Sequence, residues 1–244
     1  MAKKYELLPS DRTGPLGESL YQIRYLRRGA WGEPGTLGGF VRDDHHLAHT
    51  GQCYIGGQAV VTGCSRVSGD ARVIGDAIVT DSTIYGRATV ADRARVDHSY
   101  LFGNAIVAGS ATVEGSVVSG HSVVTDHARV QNAELHYAVS VHGQAVIAIP
   151  RGAMMSINGH ASISEQALIR SRWDFLLLES LAGAMHSVTA YRTEDGSWTI
   201  YCGGLRLYTV EDCAAWARSL PAAECREYLA LVEIVRGRQN LRRD

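Results

Sequence analysis

A strand-dominated, all-β parallel solenoid is the fold class this sequence predicts. The first observation is a recurring Gly-x-Ala-x-Val, as in Gly57-Gln58-Ala59-Val60-Val61, Gly69-Asp70-Ala71-Arg72-Val73 and Gly103-Asn104-Ala105-Ile106-Val107. The second is the spacing of the aliphatic anchors. Ile55, Val61, Val67, Val73 and Val79 lie six apart, and the next step, to Ile84, is five. The third is composition: 26 glycines and only 7% aromatic residues suit a repeat of tight turns and small side chains.

Internal repeats decide the architecture before any single element does. Two steps of six and one of five make a coil of 17 residues. Coils begin at Val67, Ile84, Leu101, Val118 and Leu135. In that register the third position reads Gly69, Gly86, Gly103, Gly120 and Tyr137. The eleventh reads Ala77, Ala94, Ala111, Ala128 and Ala145. Side chains alternate along a strand. The anchors therefore point inward and stack, coil on coil, with small residues inside the corners. Corner pairs such as Gly75-Asp76, Asp92-Arg93 and Asp126-His127 accept positive φ. Six to seven coils at the parallel-strand spacing give a rod about 30 Å long. The register breaks at Ile149–Met155, an expected corner bulge or short loop, and Ile157, Ile163 and Ile169 resume it.

Three regions are expected: a cap at 1–46, the solenoid at 47–171, and a small α+β unit at 172–244. Parallel stacks need atypical caps because their end strands are unpaired. In the cap, Ser19–Leu26 alternates as a strand. In the tail, Phe175–Leu178, Ser187–Arg192 and Ser197–Tyr201 read as strands, with Glu194-Asp195-Gly196 as a hairpin turn. Thr209 should cap one helix. Pro221 should open another that runs to about Arg238 and buries Tyr228, Leu229, Leu231, Val232 and Val235.

Net charge is −1, which gives no global field toward nucleic acid or a membrane surface. The N-terminus lacks the apolar core of a signal peptide. Cys53, Cys64, Cys202, Cys213 and Cys225 form no CxxC pair and are odd in number. They read as reduced thiols in a cytoplasmic protein.

Several stretches resemble the YdcK-type β-solenoid family of hexapeptide-repeat proteins. They are Lys4-Tyr5-Glu6-Leu7, Tyr21-Gln22-Ile23-Arg24-Tyr25-Leu26, Gly35-Thr36-Leu37-Gly38-Gly39-Phe40-Val41 and Leu47-Ala48-His49-Thr50-Gly51-Gln52-Cys53-Tyr54. The tail, Thr189–Gly196 followed by Glu227–Glu233, is similar to that of phage and prophage members. The resemblance implies a left-handed β-helix and a label of acyltransferase, and it brings no catalytic residues with it. Hexapeptide acyltransferases trimerise, use a histidine near a subunit junction as general base, and bind acyl-CoA between rods.

Outward columns point to an interface. Tyr85, Tyr100, Phe102 and Val117 should form one apolar stripe beside Thr83, Ser119, Glu134 and His136, with Ile106 and Val123 on the next face. Self-association, as a trimer by family analogy, is expected there. Packing of the tail on that stripe is the competing explanation. The third face carries Arg95, Asp97, Thr112, Glu114 and Arg129, a solvated surface or a polar-ligand site. Three functions follow: a non-catalytic binding scaffold or phage-associated adaptor, an acyl-CoA-dependent acyltransferase, or a nucleotide-sequestering protein. In the second, His136 or His98 is the candidate base, with Arg95, Arg129 and His142 as candidate ligand contacts. No cofactor is expected unless acyl-CoA chemistry holds. His45, His46 and His49 lie close in the cap junction, but spacing alone makes no metal site and none is expected.

Overall fold

The 17-residue step governs the strand pairs from Arg66↔Thr83 to Arg129↔Val146 in the computed structural model, which describes residues 3–180, 187–202, 205–207 and 209–240. Tyr100-Leu101 pairs in parallel with Thr83-Ile84 on one side and Val117-Val118 on the other. Such pairings build three parallel faces with ten, seven and six strands; antiparallel cap strands extend the ten-stranded sheet. The anchors from Ile55 to Ile147 are essentially inaccessible, and so are Ala77, Ala94, Ala111, Ala128 and Ala145. Each anchor rests on the same anchor of the next coil, so one apolar column fills the rod.

Corners turn through the left-handed region, which suits glycine and tolerates Asp and Asn. Gly75, Asp92 and Asp126 have φ of 75°, 58° and 60°. Gly120 shows why a side chain is excluded at its column: a Cβ there would lie 2.5 Å from the Tyr137 carbonyl oxygen. The five-residue corner holds a buried serine ladder that the repeat did not reveal. Ser82, Ser99 and Ser116 each donate to the carbonyl two residues back, at 2.6–2.7 Å. Each hydroxyl also accepts from the backbone N–H one coil on, at Ser99, Ser116 and Ala133. Shortening the corner buries backbone groups, and the hydroxyls satisfy them.

The break after Ile147 is an inserted loop. Leu135 pairs with Ile157, after which the coils continue. Met154 and Trp173 are exposed beside this loop and border a cleft of about 600 Å³.

At the N-terminal end the strands Tyr5–Thr13, Ser19–Tyr25 and Leu37–Val41 form an antiparallel ribbon. Its last strand pairs in parallel with Val60–Thr62. The strand Tyr5–Thr13 carries Pro9 and weak alternation, and sequence reading did not assign it. At the other end, Phe175–Leu178, Val188–Arg192, Trp198–Cys202 and Leu205–Leu207 form an antiparallel sheet backed by helices α1 (Val210–Ala217) and α2 (Ala222–Asn240). Thr209 caps α1, accepting from Asp212 N–H at 2.9 Å. Tyr228, Leu231, Val232 and Val235 are buried against Val188, Ala190 and Ile200.

This sheet covers the last coil. Ser162 N–H donates to Thr189 Oγ1 at 3.1 Å, and Ser164 N–H to the Tyr191 hydroxyl at 3.3 Å. The tail's contacts go to the end of the rod, while Tyr85 and Tyr100 stay exposed. Packing of the tail on the aromatic stripe is therefore not what the structure shows. Among the described residues no helix is long and apolar enough to cross a membrane.

Candidate functional site

The six-stranded face carries two outward columns. One runs Thr83, Tyr100, Val117, Glu134, Ser156 through successive strand pairs. Two residues further along the chain, the other runs Tyr85, Phe102, Ser119, His136. Both follow from strand alternation repeated every coil. Tyr85 and Phe102 stack with ring centroids 5.1 Å apart. Tyr100 is 57% exposed and Tyr85 40%. Phe102 and Val117 are half-buried beside them. Ile106 pairs with Val123 on the seven-stranded face, around the corner.

The stripe ends in a polar cluster. Ser119 Oγ lies 2.6 Å from His136 Nδ1, and His136 Nε2 lies 3.5 Å from Glu134 Oε2. With Glu134 ionised, a proton on Nε2 faces the carboxylate and Nδ1 accepts from the Ser119 hydroxyl. This is the order of a nucleophile, a base and an orienting acid. Ser119 is only 4% exposed, and it borders, with His136, Tyr137 and Asn158, a shallow cleft of about 290 Å³. Sequence reading placed Ser119 and Glu134 beside His136 but found no acid–histidine pair. The signal was available: Glu134 and His136 are two apart on one face, and Ser119 is one coil earlier in the histidine's own column.

Residues 70–153 match the family described as GlmU-like, C-terminal hexapeptide, which covers about a third of the chain. The coils are of the hexapeptide-repeat type. Hexapeptide-repeat proteins include acyltransferases, and their shared β-solenoid is what this region displays. No curated protein compared with the chain matches it.

The hexapeptide coils separate the other sequence candidates. Arg95 and Arg129 flank Thr112 on the ten-stranded face. His142 follows Ser140-Val141 on the seven-stranded face. Within one chain, neither the arginines nor His142 share a face with His136. His98 sits at the corner between the ten- and six-stranded faces, its Nδ1 3.0 Å from Asp97 Oδ2 and its Nε2 3.8 Å from Asp81. The Asp97 carboxylate holds the His98 pKa above its usual value. In the cap junction His49 stacks on Tyr5, with centroids 4.5 Å apart, while the His45 and His46 rings lie against each other at 4.1 Å.

Proposed function

We propose that this chain is a non-catalytic binding scaffold that self-associates, as a trimer, through its six-stranded face and holds a small ligand or partner in the grooves between rods. One observation carries the reading: the contiguous apolar stripe of Tyr85, Tyr100, Phe102 and Val117, both tyrosines exposed, on otherwise regular coils. Exposed apolar patches of this kind mark interaction surfaces, and a homotypic contact closes best with point symmetry. Five unpaired cysteines support a cytoplasmic setting, and the likeness of the tail to phage proteins supports a phage-derived adaptor. Light scattering tests this. The wild type should run as a trimer and Tyr100→Glu as a monomer, because the variant places an unpaired charge in the contact. A monomeric wild type would sink the proposal.

The Ser119–His136–Glu134 cluster favours a second reading, acyl transfer. There His136 would accept the proton of an acceptor hydroxyl or amine. The acceptor would take the acyl carbon from the thioester, and the CoA thiolate would leave. Calorimetry with acetyl-CoA and with nucleotides separates the two. Acetyl-CoA binding that disappears in His136→Ala moves the conclusion to acyl transfer. Nucleotide binding that persists in that variant supports the scaffold.

A further inference from the structure

The junction between the N-terminal cap and the first coil carries an arrangement that neither the scaffold nor the acyl-transfer reading uses. Residues Asp44–His46 form a single 3-10 turn, capped by Asp43, whose carboxylate accepts from His45 N–H. The turn rolls the His46 ring fully into the protein. There Nδ1 lies 2.8 Å from the Ser65 carbonyl oxygen. A carbonyl only accepts, so Nδ1 carries the proton and Nε2 presents a lone pair. Among the described residues no group hydrogen-bonds that buried Nε2. Folded proteins seldom leave a buried polar atom unmet, and a bound ion is one way of meeting it.

What faces Nε2 sharpens the point. Asp43 Oδ1 is 3.8 Å away, beyond hydrogen-bond reach. A lone pair and a carboxylate oxygen then face each other across a gap, an arrangement that a cation between them would resolve. His45 Nδ1 approaches the same Oδ1 from the exposed side. The three donor atoms all lie within 4.8 Å of one another.

We propose that Asp43, His45 and His46 form a binding site for a divalent transition metal of the zinc class. Two imidazoles and one carboxylate are an ordinary donor set for such an ion. Tetrahedral ligands at zinc distances are about 3.4 Å apart, so a modest rotation of the exposed His45 ring closes the set. The orienting shell is already built. The Ser65 carbonyl sets the His46 tautomer, and Arg42 Nε holds Asp43 Oδ2 at 3.1 Å, leaving Oδ1 toward the rings. Asp43 borders a solvent-open cleft of about 500 Å³ together with Arg42 and Asp44. The other histidine–carboxylate group, Asp81, Asp97 and His98, has no buried unpartnered atom, and its histidine is already engaged by Asp97. It serves as the control.

Binding at this place would tie the segment after Leu37–Val41 to the first coil, so occupancy should stabilise the cap. The test uses the full chain, stripped with a chelator and titrated with zinc ion against a chromophoric competitor, with thermal denaturation in parallel. One equivalent should bind, and Tm should rise with zinc concentration. Substitution of His46 alters a buried site, so the decisive variants are His45→Gln and Asp43→Asn at accessible positions. Each should weaken binding by about tenfold or more and abolish the Tm rise, while His98→Gln changes neither. Absence of saturable binding at one equivalent overturns the proposal, as does binding that both decisive variants leave intact.

Discussion

Tyr137 is the residue that departs furthest from its column. Its predecessors Gly69, Gly86, Gly103 and Gly120 all have φ near 70°, and Tyr137 adopts φ 69° with a side chain. A left-handed L-residue costs about 1–2 kcal/mol. Glycine's extra unfolded-state entropy costs about 0.5–1 kcal/mol. The strain is the larger quantity, so Tyr137→Gly should stabilise the chain by a few tenths to about 1 kcal/mol, read from urea unfolding. His98 occupies a similar corner, with φ 46°, beside Asp97. Its raised pKa means that the folded state holds the proton to higher pH than the unfolded chain does. The pair's contribution is therefore complete below the unfolded histidine value and fades as pH rises through the folded one. Asp97→Asn should move the His98 titration, followed by NMR, back toward acid. An unchanged midpoint would show that the carboxylate is not the cause.

At the scale of elements, a buried carboxylate joins the tail sheet to the end of the rod, beside the Ser162 and Ser164 contacts. The Asp174 carboxylate accepts from Arg170 N–H at 3.0 Å and Ser171 Oγ–H at 3.1 Å, and it pairs with Arg192 Nε at 3.2 Å. Its side chain is only 1% exposed, whereas Arg28 and Glu33 form a pair open to solvent. Exposed pairs contribute about 0–1 kcal/mol. Breaking a buried pair costs about 3–5 kcal/mol, because the remaining charge loses its compensation. Asp174→Ala should therefore destabilise the tail strongly in denaturant, and Glu33→Ala should be near neutral. Equal effects would refute the ranking.

Across the whole molecule the problem is the two open ends of a parallel stack, and both ends use a phenol. Ile55 N–H donates to the Tyr25 hydroxyl at 2.9 Å, and that hydroxyl donates to the Ile55 carbonyl at 3.0 Å. At the other end the Tyr191 hydroxyl accepts from Ser164 N–H at 3.3 Å. Buried Lys4 adds to the first plug, donating through Nζ to the Ala48 carbonyl at 3.1 Å. Tyr25→Phe strands two buried backbone groups and should cost about 1–3 kcal/mol. Solenoid coils stabilise chiefly their neighbours, so hydrogen exchange should quicken in the first coils and remain slow beyond them. Tyr100→Glu acts at the same scale in the opposite sense. Its side chain points outward from the coil, so it should alter assembly mass without lowering the Tm of the coils.

The sequence by itself determined the 17-residue coil, the inward anchors, the corner residues and the outward aromatic column. Parallel stacking makes this legible: equivalent positions of successive coils lie directly on one another, so a spatial column is also a sequence period. Helices α1 and α2 were legible too, from the Thr209 cap and the apolar stripe at Tyr228–Val235. Tertiary structure alone decided which atoms meet. It turned Ser119, His136 and Glu134 into a connected cluster. It set the tail on the rod's end, away from the stripe. It brought Asp43, in place of His49, to face His45 and His46. Periodicity states which side of a strand a residue takes. The direction of a single turn at Asp44–His46, and the partner waiting across it, depend on contacts between segments that share no period.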